Sequence, residues 1–96
     1  EPEPDLLIET ADQYLEFAGR IQSPMLGLNF DIGHFFCVKD EPAPTVHRLK
    51  EHIRHVHLED IAATRVHHHL IPGEGVIDFA GTLTALKDVG YNGWVT

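Results

Sequence analysis

The sequence has few of the features that mark secreted, membrane-spanning or nucleic-acid-binding proteins. Cys37 is its only cysteine, so no internal disulfide can form, and we expect a reducing, cytoplasmic setting. No apolar run approaches the length of a bilayer span, and no signal-peptide pattern opens the chain. Lys and Arg number only 7 against 15 Asp and Glu, and the net charge is −8 with histidines neutral. Such an acidic chain repels phosphate backbones, which argues against a nucleic-acid partner.

What the sequence does have is an ordinary globular composition and many histidines. Its 96 residues suffice for one small domain, with 43% hydrophobic and 23% charged residues. Histidine occurs 8 times, and the run His67-His68-His69 is internal rather than a terminal tag. The chain starts without methionine on Glu1-Pro2-Glu3-Pro4 and stops within an apolar segment, so we expect a piece of a longer domain, truncated at both ends.

Apolar periodicity and capping residues predict helices that alternate with strands. Thr10 and Gln13 form the capping-box pattern at the start of a helix, which Ser23-Pro24 ends. The other predicted elements are a strand at 25–30, a helix at 43–53, a strand at 54–59, a helix from Asp78 to Gly90 and the start of a strand at 94–96. This alternation predicts an α/β fold with parallel strands. Periodicity alone does not separate a (β/α)8 barrel from a doubly wound sheet, but no glycine-rich phosphate fingerprint follows any strand.

Residue types that bind metals follow the ends of two predicted strands. Asp31 and His34 come directly after the first strand, and a carboxylate with an imidazole suits zinc, manganese or a related divalent ion. His55 and His57 lie on the second strand. We expect these two histidines to face opposite sides of that strand, so that only one reaches a central site and the other is structural.

Each of these residues also has a plain structural explanation. Asp31 can be a turn residue, and His34 can be a hydrogen-bonded, buried imidazole. The histidines of 67–69 can belong to a solvated loop, and Glu1 and Glu3 to a frayed terminus. The sequence contains no nucleophile elbow, phosphate loop or paired cysteines. A cluster of carboxylates and histidines at strand ends therefore remains the candidate site.

Four blocks, in order along the chain, resemble the second half of the sugar phosphate isomerase/epimerase family. The blocks are Asp31–His34, Arg54–Asp60, Pro72–Phe79 and Gly90–Trp94. That family is similar to xylose isomerase and is grouped with endonuclease IV-like barrels. The resemblance implies a partial (β/α)8 TIM barrel, roughly strands six to eight with their helices, in which residues 1–96 are the C-terminal part of one domain.

The resemblance also implies a set of metal ligands. In the family, the metal is held by a Glu after strand five, an Asp after strand six, a His on strand seven and a Glu on strand eight. By position, Asp31 matches the Asp and His57 matches the His. Glu1 matches the strand-five Glu, with Glu3 as the fallback. His34 matches a histidine that contacts substrate or a further metal, and the strand-eight Glu would lie beyond the last residue.

By this resemblance, the expected activity is that of a divalent-metal-dependent isomerase or epimerase acting on a small sugar or sugar phosphate. The metal (Mn, Zn, Mg or Co) would polarise substrate oxygens while carboxylates move a proton through a metal-stabilised enediolate. Glu1 is the candidate for one catalytic carboxylate. His34 would orient a substrate oxygen, and Arg65 or His69 would contact the far end of the substrate or a phosphate.

Two alternatives remain open. Endonuclease relatives carry an Asp-x-His pair before a Gly-Glu-Gly turn; here His69 matches the histidine, but His67 stands in place of the Asp. This partial match keeps a multi-zinc phosphodiesterase open, although the negative charge argues against it. The other alternative is a non-catalytic barrel relative in metabolite handling. Three βα units alone leave open strand edges, so aggregation or pairing with another half is expected. A homo-oligomer of the parent protein is a further expectation.

Overall fold

The computed structural model describes residues 1–96 and contains four helices and two strands. The helices are α1 (Ala11–Ile21), α2 (Ile32–Cys37), α3 (Pro42–Leu49) and α4 (Phe79–Asp88), and the strands are β1 (Leu28–Asp31) and β2 (Ile53–His57). None of these helices has the length and apolar character needed to cross a membrane.

The two strands pair in parallel, and a third segment extends the sheet beyond β2. Val56 forms a parallel bridge with Val95, and the N–H of Leu58 donates to the carbonyl of Thr96 at 2.7 Å. The predicted strand at 94–96 is therefore present as a single bridge. Neighbouring parallel strands joined through helices are the repeating unit of a (β/α)8 barrel, and this arrangement forms part of one.

A shift in register between the strands determines which side chains face the core. Leu28 pairs with Ile53 and Asn29 pairs with His55, so Arg54 has no partner on β1. Two residues on one strand that lie opposite a single residue on the other form a β-bulge. The apolar pairs Leu28–Ile53 and Phe30–Val56, one before the bulge and one after it, therefore face the helices. The polar pairs Asn29–His55 and Asp31–His57 face the opposite side of the sheet.

The prediction that His55 and His57 face opposite sides of the strand is wrong. Side chains alternate with a period of two, so residues two apart share a face. The two imidazole rings lie 5.3 Å apart, centroid to centroid. His55 pairs with the Thr96 hydroxyl at 2.9 Å, whereas His57 lies among carboxylates.

The helices cover one face of the sheet with a continuous apolar core. Helix α1 begins in the predicted capping box, in which the Thr10 side chain accepts from Gln13 N–H and the Gln13 side chain accepts from Thr10 N–H. The buried apolar residues are Ala11, Tyr14, Ala18, Leu28, Phe30, Ile32, Phe35, Phe36, Val46, Leu49, Ile53, Val56, Ile61, Ile77, Ala85 and Leu86. Because this core occupies only one side of the strands, the other side is left to polar residues.

Some predicted bounds are displaced by local turns. The first strand begins at Leu28 rather than at 25, because the hydroxyl and carbonyl of Ser23 accept N–H bonds from Met25 and Leu26 and close a turn. Helix α3 ends at Leu49 rather than at 53, so β2 begins earlier than predicted.

Helix α2 is not predicted by the sequence pattern, yet it determines the shape of the site. Asp31 is its N-cap, and its Oδ1 accepts the backbone N–H of His34 at 2.9 Å. The six-residue helix buries Phe35 and Phe36 against the core. Its first turn places the His34 side chain beside Asp31.

Candidate functional site

Polar side chains gather in a cleft at the carboxyl ends of the strands. The cleft has a volume of about 510 Å³, and only 1 of its 10 lining residues is hydrophobic. The lining residues are Glu1, Glu3, Asp31, His34, His57, Leu58, Glu59, His67, His69 and Thr96. Parallel strands end at the same edge of a sheet, so residues far apart in sequence meet there.

Glu1, Asp31 and His57 form the centre of this cleft. The Nδ1 atom of His57 lies 3.1 Å from Oε2 of Glu1 and 3.4 Å from Oδ2 of Asp31. One potential ligand atom from each of the three residues lies within 4.8 Å of the others. The structure thus brings together the three residues that the sequence suggested as ligands.

Asn29 connects two members of this group. Its side-chain amide donates to the Glu1 carboxylate and lies 3.1 Å from Nδ1 of His57. Its carbonyl oxygen is buried and has no hydrogen-bond partner. Sequence reasoning missed Asn29; the available signal was a polar residue inside an apolar strand, two positions before Asp31 and therefore on the same face.

His34 is buried beside Asp31 with one ring nitrogen already engaged. Its Nδ1 lies 3.0 Å from the Pro2 carbonyl, and its Nε2 lies 3.7 Å from Oδ2 of Asp31. Because a carbonyl only accepts, Nδ1 donates to Pro2 and Nε2 is the ring nitrogen that faces Asp31. Histidines that bind metals or substrate oxygens are commonly oriented in this way.

The loop before the Gly73–Gly75 turn brings two more histidines to His34. The Nε2 atoms of His67 and His69 lie 2.9 Å apart, and their ring centroids lie 4.5 and 5.8 Å from that of His34. One nitrogen from each of the three rings lies within 4.8 Å of the others. His67 and His69 are exposed, as expected for a solvated loop, yet they also line the cleft.

The side chain of Arg65 is held outside the cleft. Its guanidinium lies 3.8 Å above the Phe36 ring, donates to the Phe36 carbonyl and pairs with Glu41. Arg65 therefore does not line the cleft, and its contact with substrate stays a prediction. Instead, Arg65 anchors the start of the loop that carries His67 and His69.

Glu59 is a cleft residue to which the sequence assigned no role. Burial, together with the hydrogen bond and negative charge of Asp31, raises the pKa of Glu59 to about 9. Its Oε1 atom is buried without a hydrogen-bond partner. Ligand atoms of Asp31, His34 and Glu59 lie within 4.8 Å of one another. The two consecutive acids that follow the second strand were the signal for this position.

Asp60, the next residue, points away from the cleft and organises the following loop. Its carboxylate accepts the N–H groups of Gly73 and Gly75 at 2.9 Å and that of Ile77 at 3.2 Å. Burial acts to raise the pKa of Asp60, but these N–H donors outweigh it and hold the pKa below its usual range. The conformation of the Gly-Glu-Gly turn is thereby fixed from the end of β2.

The carboxylates of the cleft have no cationic side chain to balance them. The Arg residues in ion pairs contact Glu16, Asp12 and Glu41, all outside the cleft. Glu1, Asp31 and Glu59 instead face imidazoles, an amide and one another. Carboxylate oxygens combined with imidazole nitrogen fit Mn²⁺, Co²⁺, Zn²⁺ or Mg²⁺, so these residues are suited to a divalent cation.

With this geometry established, the family follows from the sequence match. Residues 1–96 match the family described as the xylose isomerase-like TIM barrel. The chain belongs to that family. The match confirms the fold class and the family resemblance drawn from the four sequence blocks.

Named relatives of this xylose isomerase-like chain include a dehydratase and two epimerase-type proteins. Inosose dehydratase of Lacticaseibacillus casei is 28% identical over 86 residues, which cover 73% of this chain and 29% of that protein. A D-tagatose 3-epimerase-like protein superimposes with a TM-score of 0.86 and 36% identity, covering 98% of this chain and 37% of that one. The D-allulose 3-epimerase of Methylomonas sp., in complex with D-allulose, gives a TM-score of 0.78 and 26% identity, covering 94% and 29%. The chain thus spans 29% to 37% of the length of these relatives.

Proposed function

We propose that the protein containing this segment is a divalent-metal-dependent isomerase or epimerase of a small sugar or sugar phosphate. The observation that carries the proposal is the convergence of Glu1, Asp31 and His57 at the strand ends of a xylose isomerase-like barrel. The epimerase names of two structural neighbours support the reaction class. The absence of any cationic partner for the carboxylates supports a cation as their natural counter-charge.

Asp31, His57 and Glu1 are the residues that would hold the cation. When bound, it would polarise the carbonyl and hydroxyl oxygens of the sugar and so acidify the carbon between them. Asp31 is buried, and its Oδ1 is fixed by the N–H of His34. His57 is oriented by the amide of Asn29. Because these contacts already restrict the side chains of Asp31 and His57, less conformational entropy is lost when they bind the cation.

Glu1 and His34 are proposed to handle the proton and the substrate hydroxyl. The two carboxylate oxygens of Glu1 face different partners: Oε2 lies 3.1 Å from His57, and Oε1 lies 3.9 Å from His34. A carboxylate in this position can accept a proton from the carbon next to a carbonyl. His34 can accept a hydrogen bond from a substrate hydroxyl at Nε2, because its Nδ1 proton is engaged by Pro2. His69, at the outer edge of the cleft, is proposed to contact the far end of the substrate.

Removal of the same proton would also begin a dehydration. An enolised polyhydroxy ketone can be reprotonated on its other face, which is epimerisation, or can expel a neighbouring hydroxyl, which is dehydration. The name of the L. casei relative is therefore compatible with the same first step.

Solvent deuterium exchange tests this first step directly. The full-length protein is incubated in D₂O with Mn²⁺ and D-allulose or another ketohexose, and exchange at the carbon next to the carbonyl is followed by NMR. We expect exchange by the wild type, loss on adding a chelator and loss in Asp31→Ala. His68→Ala is the matched control, since His68 is an exposed neighbour in the same loop and does not line the cleft. Undiminished exchange in Asp31→Ala would contradict the proposal.

A multi-cation hydrolase is the second candidate, favoured by one observation. His34, His67 and His69 offer a group of nitrogens beside the carboxylate site. Elemental analysis of the full-length protein separates the candidates, with about one divalent ion per chain for the isomerase and about two or three for the hydrolase. Complete absence of bound metal would favour a non-catalytic relative.

We further propose that residues 1–96 are the C-terminal part of a single barrel domain in a cytoplasmic protein. The single cysteine supports a reducing compartment.

The largely polar lining of the cleft supports a small, hydroxylated substrate rather than a lipid.

A further inference from the structure

A second cavity lies at the opposite end of the strands from the cleft. It has a volume of about 280 Å³ and is lined by the start of β2, at Ile53 and Arg54, and by residues 89–93 after α4. It shares no residue with the cleft. The charged residues that line it are Lys50 and Arg54, with no acid among them. We call this cavity the basic pocket; its charge is opposite in sign to the net charge of the chain, −8.

Neither cation of the basic pocket is neutralised by an acidic side chain. The arginines that form ion pairs with acids are Arg20, Arg48 and Arg65, and no lysine forms one. The carboxyl end of α4 also reaches the pocket, where free carbonyl groups would repel an anion. Its last carbonyls, however, already accept the N–H groups of residues 89–91. Two positive charges therefore remain in the pocket without a counter-charge.

The Arg54 side chain is held in place from two sides. Its Nη1 donates to the backbone carbonyls of Glu51 at 3.0 Å and Ile53 at 3.1 Å. Its aliphatic part lies against Gly27, where a Cβ would come within 2.5 Å of Arg54 Cγ and would otherwise meet only atoms of the same side chain. Arg54 is also the unpaired residue of the β-bulge, and bulges commonly redirect a side chain. The N–H groups of Nε and Nη2 donate to no protein atom and can bind a ligand.

The turn after α4 adds backbone donors to the basic pocket. The N–H groups of Asn92 and Gly93 donate to no acceptor in the chain. The Tyr91 hydroxyl donates to the carbonyl of Trp94 at 2.8 Å and closes this turn. Arginine and backbone N–H groups are the donors that proteins commonly use to bind phosphate oxygens.

We propose that the basic pocket binds a small phosphate dianion, either inorganic phosphate or the phosphate group of a small monoester. Arg54 supplies a planar donor that matches phosphate geometry, and Lys50 supplies a second positive charge. Pockets for drug-sized ligands span about 300–1,000 Å³, so a volume of about 280 Å³ suits a small anion better than a dinucleotide. The inference is independent of the proposed function, because it uses no residue of the cleft.

Phosphate titration of the full-length protein, followed by calorimetry, tests the inference. EDTA is present throughout, so that phosphate cannot bind through a divalent ion in the cleft. Both cations are exposed, and we expect a dissociation constant on the order of 1 mM. Chloride at the same ionic strength should not compete appreciably, because a monovalent ion offers neither the charge nor the oxygen geometry of phosphate.

Two variants and a matched control assign the binding to the basic pocket. Arg54→Gln should weaken phosphate binding by about tenfold, because it removes the charged donor. Gly27→Ala should have a similar effect, since its methyl group displaces the Arg54 side chain while every charge is kept. Lys87→Gln is the control for loss of one positive charge and should change affinity by less than about threefold. Lys87 is exposed, forms no ion pair and does not line the pocket.

Amide chemical shifts locate the bound anion, and phosphate should shift the resonances of Asn92 and Gly93. Tighter binding of glycerol 3-phosphate than of phosphate would assign a monoester as the ligand, and equal or weaker binding would assign inorganic phosphate. Absence of phosphate binding, or shifts confined to residues outside the pocket, overturns the inference. Wild-type affinity in Arg54→Gln or Gly27→Ala, or a loss in Lys87→Gln equal to that in Arg54→Gln, overturns it as well.

Discussion

The Oδ2 atom of Asp31 lies 3.4 Å from Nδ1 of His57, across the parallel pair of strands β1 and β2. The two residues are register partners at the ends of their strands. Their separation is therefore set by the sheet, not by a flexible loop. Sites built on regular elements hold their geometry more precisely than sites built on loops.

The two acids at the start of the chain are predicted to differ in their effect on cation binding. Glu1→Gln should weaken Mn²⁺ binding by at least about tenfold, because the Glu1 carboxylate faces both His57 and Asn29. Glu3→Gln, the matched control, should change Mn²⁺ affinity by less than about threefold. The only candidate ligand group that contains Glu3 is the one with Glu1 and His34, which does not include Asp31 or His57. Calorimetry of both variants checks this. If Glu3→Gln weakened Mn²⁺ binding more than Glu1→Gln, Glu3 rather than Glu1 would be the ligand.

Asp60 should make the fold sensitive to acid. Its folded pKa lies below the unfolded value of about 4, so the carboxylate stabilises the fold above that pH, and the stabilisation is lost as pH falls through the folded pKa. Asp60→Asn should lower the free energy of unfolding at pH 7 by about 2 kcal/mol, because asparagine keeps one acceptor oxygen and the buried N–H groups that face its NH2 group lose theirs.

Urea denaturation at neutral and acidic pH measures the effect of Asp60→Asn. The difference from wild type should shrink as the pH is lowered. Asp78→Asn is the control, because asparagine also caps a helix N-terminus and should change stability little. A deficit that is the same at both pH values would show that shape, rather than charge, explains the effect.

Two glycine-to-alanine substitutions should change stability in opposite directions. In Gly75→Ala, the new Cβ would meet the Asp60 carboxylate and the backbone carbonyl of Ile61, so we expect a loss of about 1–3 kcal/mol. In Gly19→Ala, nothing lies within 4 Å of the new atom, and alanine should stabilise α1 by about 0.5–1 kcal/mol. Thermal or urea denaturation checks both signs. A neutral Gly75→Ala would mean that the loop is not fixed by Asp60.

Arg65 should act on the cleft only through its loop. Arg65→Ala removes the contacts with Phe36 and Glu41, so amide hydrogen exchange should accelerate across residues 65–70. Exchange within α1, which Arg65 does not contact, serves as the internal reference. Unchanged exchange in the loop, combined with loss of substrate binding, would instead restore Arg65 as a direct substrate contact.

The sequence predicted the residues whose positions follow from strand ends. Asp31 follows a recognisable strand, so its place at the carboxyl end of the sheet could be predicted from the strand alone. The choice of His57 over His55 came instead from the family resemblance, because strand periodicity did not separate them. Helix α1 was likewise predictable, because its capping box and apolar stripe are local signals.

The residues that were missed depend on contacts between distant parts of the chain. His55 is the exception, because its direction follows from the local period of two along a strand. The unpaired Arg54 can be recognised only once the two strands are aligned. The Glu59 side chain lies against Gly33, a contact that no local pattern encodes. Arg65 is turned from the cleft by Phe36 and Glu41, on segments that the sequence does not connect to it.

Mn²⁺ binding by the full-length protein, measured by calorimetry, tests the central claim most directly. Wild type and the His68→Ala control should bind with equal affinity, whereas Asp31→Ala and His57→Ala should each lose measurable binding. Circular dichroism of each variant verifies that the fold is retained. Unchanged Mn²⁺ affinity in both folded variants would contradict a metal centre at Asp31 and His57.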